Sequence, residues 1–131
     1  SKLPHNLTHL TFGWNFNQYC NIPQNIKYLK LNCNNIYIIN SLPNSVTELE
    51  LDYNFNLEMI NLPTSIKILR IDKYSYYDMD LNCLPDFIEE LHLNNNYEKR
   101  ILNIPSNLKK LICHRKYPYK NDFVMVDVEI Y

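Results

Sequence analysis

The stretch PNSVTELELDYN, residues 43–54, has apolar residues three, six and eight positions after a proline and an asparagine eleven positions after it. The same spacing recurs along the chain. Six Leu-Pro or Ile-Pro dipeptides are separated by 19, 20, 20, 22 and 20 residues. Their prolines are Pro4, Pro23, Pro43, Pro63, Pro85 and Pro105. A self-similarity of about 20 residues is typical of stacked repeats, so the sequence indicates a solenoid.

Two apolar positions in each repeat have the spacing of a β-strand. The sixth residue after the proline is leucine in every repeat: Leu10, Leu29, Leu49, Leu69, Leu91 and Leu111. The eighth residue is apolar throughout: Phe12, Leu31, Leu51, Ile71, Leu93 and Cys113. Because strand side chains alternate with a period of two, both positions point to one face. A single repeat cannot bury that face, so we expect stacked repeats whose strands form one parallel sheet.

The eleventh position after the proline is asparagine in four of the six repeats. Its residues are Asn15, Asn34, Asn54, Tyr74, Asn96 and Lys116. We expect these asparagines to be buried, because one amide can satisfy both N–H and C=O groups of the turn after the strand.

The prolines also constrain the return leg of each repeat. A proline every ~20 residues excludes long helices, because it removes a backbone donor. The predicted fold is therefore a leucine-rich-repeat solenoid, with one parallel β-sheet on the concave face and loops and short irregular or 3-10 turns on the convex side. We predict six repeats over residues 1–116 and a capping strand within 117–131, because residues 123–131 alternate apolar and mixed side chains.

Composition and charge exclude several classes of function. The net charge is -1, without the basic excess that nucleic-acid binding requires. Gly13 is the single glycine, so a phosphate-cradling loop is not expected. No apolar run is long enough to span a bilayer. We therefore predict no nucleic acid, no membrane and no cofactor.

Cysteine and histidine spacing does not indicate catalysis or metal binding. No pair among Cys20, Cys33, Cys83 and Cys113 has CxxC spacing, and we expect four free thiols in a reducing, intracellular compartment, the cytoplasm. Cys113 and His114 are adjacent, but alternation points them to opposite faces. We predict no metal site and no enzymatic activity.

The outward positions of the strands give the candidate binding surface. The predicted protein-binding concave face consists of His9, Tyr28, Lys30, Glu48, Glu50, Ile68, Arg70, Glu90 and His92. Two outward columns alternate in charge across neighbouring strands: Lys30–Glu50–Arg70 and Lys67–Glu89–Lys109. Opposite charges on adjacent strands attract, so we expect a self-neutralised face that suits protein recognition.

The fourth repeat is the longest and most irregular. It contains Tyr74, Tyr76 and Tyr77. Two interpretations stay open: a longer loop with exposed tyrosines that reflect A/T-rich codons, or a binding protrusion, since tyrosine is enriched at interface hot spots.

Residues 7–18, LTHLTFGWNFNQ, resemble the FNIP-type leucine-rich repeats, whose units read L-x-x-L-x-F-G-x-x-F-N-Q followed by L-P. The third repeat keeps Asn54-Phe55-Asn56, and the others keep the leucines and the proline dipeptide. The resemblance implies a protein-interaction module of a giant DNA virus or a social amoeba, in some members behind an F-box, and host cytoplasm if the protein is viral. Where the family's phenylalanines are missing, in repeats 2, 4, 5 and 6, we expect a stacked Leu/Ile core.

Two functions are compatible with this interpretation. The first is a non-enzymatic module that binds another protein through the concave face. The alternative is a structural or self-assembling repeat protein, a homo-oligomer that associates through uncapped solenoid ends. We expect an N-terminal end with almost no cap, because only Ser1 and Lys2 precede Leu3.

Overall fold

The computed structural model describes residues 3–4 and 6–131, so Ser1, Lys2 and His5 lie outside it. The described chain contains one short helix, α1 (Ile36–Ile39), and a 3-10 turn at Lys120–Asp122. Its strands are β1 (His9–Phe12), β2 (Tyr28–Leu31), β3 (Glu48–Leu51), β4 (Ile68–Ile71), β5 (Glu90–His92), β6 (Lys110–Cys113) and β7 (Asp127–Ile130). They form one parallel sheet in chain order, which confirms the predicted leucine-rich-repeat solenoid.

The strands pair in the register that the sequence spacing predicts. Leu49 is the partner of Leu29 on one side and of Leu69 on the other. All three side chains are fully buried. Leu10, in the first strand, is only partly buried. The sixth-position leucines thus form one continuous interior column, whose burial supplies the hydrophobic stabilisation that no single repeat could provide.

A tight turn precedes each strand and another follows most of them. In all six repeats the N–H of the third residue after the proline donates to that proline's carbonyl at 3.1–3.4 Å. After the strand, the twelfth residue donates its N–H to the ninth in five repeats, for example Phe55 to Asp52 at 3.0 Å. Position ten and position eleven are therefore the two corner residues of a β-turn.

The prediction that the eleventh-position asparagines are buried is wrong. Asn15, Asn34, Asn54 and Asn96 are all exposed. Their side chains point outward because they occupy the corner of the turn. The twelfth residue re-enters the interior instead, and there Asn35 is buried with 2% of its surface exposed.

An aromatic column fills the interior beside the turns from the third repeat onward. It consists of Phe55, Tyr77, Tyr97, Tyr117 and Phe123. Successive ring centroids are 6.1, 6.3, 6.2 and 6.4 Å apart, within the range of favourable aromatic pairs. The expected Leu/Ile core in repeats 4 to 6 is therefore wrong, because tyrosine takes the place of the family's phenylalanine.

The column's tyrosines remain neutral hydrogen-bond donors. The hydroxyl groups of Tyr77, Tyr97 and Tyr117 each donate to a main-chain carbonyl of the preceding repeat, at 3.0, 2.8 and 2.8 Å. Burial raises the pKa of all three phenols well above the ordinary value of 10.0. A buried phenol without a partner would cost free energy, so these bonds make tyrosine compatible with the interior.

The three tyrosines of the irregular fourth repeat lie in different environments. Tyr74 and Tyr76 are exposed, with 63% and 64% of their surface accessible. Tyr77 is buried, with 1% of its surface accessible. The interpretation in which all three tyrosines are exposed is therefore wrong. The two additional residues of this repeat place Ser75 at the twelfth position and bring Tyr77 into the aromatic column two residues later.

The last strand extends the sheet beyond the sixth repeat. β7 pairs in parallel with β6, and its Ile130 lies beside Cys113. Phe123, which precedes β7, ends the aromatic column. Cys113 is fully buried, whereas 55% of Ile130 is accessible. β7 therefore covers the edge of β6, while its own outer side stays exposed.

Candidate interaction surface

The structure places the nine predicted surface residues side by side on one face of the sheet. The fifth-position residues align as His9, Tyr28, Glu48, Ile68 and Glu90. The seventh-position residues Lys30, Glu50, Arg70 and His92 form the adjacent column. His9 is exposed and the other eight are partly buried. We call this set the concave sheet face.

One of the two predicted charge ladders is present as expected. Lys67 and Lys109 lie on either side of Glu89, with Nζ to carboxylate distances of 3.7 and 3.2 Å. The three side chains are between 38% and 74% exposed, so their contribution to stability is small.

The other charge ladder is rearranged. Lys30 Nζ lies 3.1 Å from Glu50, as predicted. Arg70, however, pairs with Glu48 at 2.7 Å and not with Glu50. Tyr28 donates its hydroxyl to Glu50 at 3.0 Å, which occupies the second carboxylate oxygen. Sequence columns could not distinguish the directly opposite carboxylate from the diagonal one, because both lie within reach of a long arginine side chain.

The fifth strand carries its own hydrogen-bonded pair. His92 Nε2 lies 2.6 Å from Glu90 Oε2. The hydrogen bond from His92 lowers the pKa of the Glu90 carboxyl below its ordinary value of 4.5. Burial and the bond to Glu50 raise the pKa of Tyr28. The polar groups of the concave sheet face are thus largely engaged with one another.

A cavity of about 350 Å³ opens at the carboxyl end of β3–β6. Arg70 and His92 line it, together with Ile112 and Tyr131, which the predicted surface did not include. Ile112 could have been found, since it is apolar at an outward position of an otherwise polar column. Tyr131 closes the far side of the cavity, where its hydroxyl donates to the Leu93 carbonyl at 2.6 Å. Burial raises the pKa of the Tyr131 phenol to about 12.

The residues weighed as catalytic or metal-binding candidates are not assembled into such a site. Cys113 is buried, which raises the pKa of its thiol and lowers its reactivity. His114 accepts a hydrogen bond from the Lys116 N–H at 3.1 Å. In the described part of the chain, no three His, Cys, Asp or Glu residues are grouped as metal ligands. The described helices also include none with the length and apolarity needed to cross a membrane.

Comparison with known proteins identifies the repeat. The FNIP Repeat family model matches residues 1–34, 19–53, 34–74 and 79–116, which together make up more than half of the chain. The chain belongs to the FNIP repeat family. FNIP and other leucine-rich-repeat solenoids are typically non-enzymatic scaffolds.

A solved structure gives the same fold. The chain is similar to CroV588, a protein of the giant virus CroV whose crystal structure is described as a novel circular LRR protein structure. The two are 34% identical, with a TM-score of 0.69 over 88% of this chain. The matched region spans 18% of the length of CroV588. No curated protein sequence matches the chain.

Proposed function

We propose that this FNIP solenoid is a non-enzymatic module that binds another protein through the concave sheet face. The observation that carries the proposal is the position of Ile68. This apolar side chain lies at the centre of the sheet face, directly between Glu48 and Glu90 on the neighbouring strands. An apolar centre within a polar surround is the arrangement of an interface hot spot.

The charged side chains around Ile68 suit specificity more than affinity. Arg70 and Lys30 already have carboxylate partners within the protein. A partner therefore gains little from a new ion pair, but a partner with a mismatched charge pattern is repelled. The cavity beside Arg70, with Ile112 and Tyr131 on its walls, would accept a side chain of the partner.

The cellular setting is part of the proposal. Cys20 and Cys83 are accessible or partly accessible thiols in a protein whose four cysteines are all unpaired. Free thiols persist in a reducing compartment, which favours the cytoplasm, or the host cytoplasm for a viral protein. The similarity to CroV588, a giant-virus protein, is compatible with the latter.

Site-specific crosslinking tests the concave sheet face. A photoreactive residue, p-benzoylphenylalanine, replaces Ile68 in one preparation and Ile60, exposed away from the strands, in the control. We expect irradiation in extract of the source cell or its host to crosslink a specific protein only from position 68. Ile68→Ala should then weaken binding of that protein, because it removes the apolar centre of the concave sheet face. Equal crosslinking from both positions would contradict the proposal.

A second candidate is association of copies through the sheet edges. Ile130 continues the column of eighth-position residues, which are otherwise buried, yet 55% of its surface is accessible. Strand β1 of another copy would cover it. That arrangement would place His9 beside Asp127 in the fifth-position column, and an imidazole and a carboxylate can form a hydrogen bond. Light scattering over a wide concentration range tests it. Concentration-dependent growth that Ile130→Lys abolishes supports the candidate, and a monomer at every concentration rejects it.

A further inference from the structure

A second depression, of about 330 Å³, lies at the loop edge after the first three strands. Its lining includes the aromatic residues Trp14 and Phe16 and the asparagines Asn15, Asn17, Asn34 and Asn54. We call it the Trp14 depression. Among the described residues that line it, none carries a charged side chain. The depression is separate from the concave sheet face, so a ligand bound there is independent of the proposed function.

The local backbone presents Trp14 to solvent. Phe16 donates its N–H to the Gly13 carbonyl at 3.2 Å, which closes a turn with Trp14 and Asn15 at its corners. The Trp14 side chain is 69% accessible. Phe16 packs against the buried Phe12, with ring centroids 4.9 Å apart. A broad apolar indole face is therefore exposed beside the packed pair Phe12–Phe16.

The surrounding amides have unused hydrogen-bonding capacity. In the described structure Asn15 and Asn17 make no hydrogen bond through their side chains. Asn34 Oδ1 accepts from the Asn56 N–H at 2.6 Å, which leaves its amide NH₂ free. Asn54 donates its amide NH₂ within the protein at 3.2 Å, which leaves its amide oxygen. The depression therefore offers both donors and acceptors, without a net charge.

This combination matches the chemistry of a sugar. A pyranose ring has an apolar C–H face, which packs on an aromatic ring, and a rim of hydroxyl groups that both donate and accept hydrogen bonds. We propose that the Trp14 depression binds a neutral sugar unit of a glycan. The sugar ring lies on the Trp14 indole, and its hydroxyls bond to the amides of Asn15, Asn17 and Asn34.

Other ligand classes fit less well. A nucleic acid stacks on aromatic rings too, but its phosphates require cations, and the described lining has none. An acidic or basic ligand would likewise lack a counter-charge.

Trp14 is the single tryptophan of the chain, so its fluorescence reports on this site alone. The whole chain is titrated separately with cellotetraose, chitotetraose and mannotetraose. We expect at least one of these neutral tetrasaccharides to give a saturable change in Trp14 emission. Isothermal calorimetry on the same sugar supplies an affinity that does not depend on the fluorophore.

Three variants separate a sugar site from a general surface effect. Trp14→Ala should weaken binding about tenfold or more by calorimetry, because it removes the stacking platform. Asn15→Ala should weaken it about threefold, as expected for one hydrogen bond. Tyr74→Ala, which removes an equally exposed ring outside the depression, should leave the affinity unchanged. Circular dichroism checks that each variant is folded.

Several results would overturn the proposal. One is the absence of saturable binding for all three sugars at concentrations up to about 10 mM. Another is equal weakening by Trp14→Ala and Tyr74→Ala. A third is a partner protein whose binding requires Trp14 while no sugar binds, since that would assign the depression to a protein contact.

Discussion

Repeat 2 and repeats 4 to 6 place different side chains at the same interior point of the solenoid. In repeats 4 to 6 the point is occupied by Tyr77, Tyr97 and Tyr117. In repeat 2 it is occupied by Asn35. Each of these residues donates to a carbonyl of the preceding repeat, and the acceptor always lies two positions after that repeat's own interior residue. Asn35, for example, donates to Gln18 at 2.8 Å.

The difference between the two regions lies in what else the side chain can do. A tyrosine adds a ring to the aromatic column. Asn35 adds an acceptor: its Oδ1 accepts the N–H groups of Tyr37 and Ile38 at 3.0 and 3.2 Å and so caps α1. The helix then buries Ile38 and Ile39. In these four repeats the interior side chain therefore supplies the donor for a carbonyl of the preceding repeat, and the identity of that side chain determines the local structure.

The largest expected effect is loss of a ring from the aromatic column. Tyr97 is 3% accessible and lies between two other rings, so Tyr97→Ala should lower the free energy of unfolding by about 3–5 kcal/mol through lost burial and a cavity. Urea denaturation followed by circular dichroism measures it. The matched control is Tyr37→Ala, because that ring is 57% accessible; similar losses for both variants would contradict the aromatic column.

Loss of the repeat 2 donor should have an intermediate effect. Asn35→Ala leaves two carbonyls of the preceding repeat without the amide donor and removes the helix cap, so we expect a loss of about 1–3 kcal/mol. Asn15→Ala removes an exposed asparagine at the turn corner and should change stability by less than about 0.5 kcal/mol. The opposite order in thermal or urea unfolding would mean that the eleventh position, and not the twelfth, faces the interior.

Removing only a hydroxyl isolates the hydrogen bond from the ring. Tyr97→Phe keeps the aromatic column but leaves the Met79 carbonyl without its 2.8 Å donor, at an expected loss of about 1 kcal/mol. Phe55→Tyr is the reverse change and should not stabilise the protein. By the spacing seen in the other repeats, the hydroxyl introduced at position 55 would reach the Tyr37 carbonyl. That carbonyl already accepts a hydrogen bond from the Ser41 hydroxyl. A clear gain from Phe55→Tyr in urea unfolding would show that this carbonyl still lacks a donor.

The smallest effect is expected where the donor to such a carbonyl is exposed to solvent. Ser41 and Tyr37 are both exposed, so water can replace the hydroxyl after Ser41→Ala. The free energy of unfolding should change by less than about 0.5 kcal/mol. A loss as large as that of Asn35→Ala, measured under identical conditions, would mean that burial does not determine how much stability each of these hydrogen bonds contributes.

The sequence by itself determined the solenoid, the phase of its strands and the register of its sheet. It could do so because the Leu-x-Leu spacing and the prolines act locally: alternation of side chains and a turn of fixed length repeat in every unit. The same logic placed the nine residues of the concave sheet face on one surface, from His9 to His92.

Tertiary structure decided which side chains meet within and between those columns. It turned the eleventh-position asparagines outward, brought Tyr77 into the aromatic column despite two additional residues, and paired Arg70 with Glu48 on the diagonal. It also joined Trp14 with amides from three repeats in one depression. Each outcome depends on the path of the turn or on the reach of a long side chain across strands, and no spacing within a single repeat specifies either.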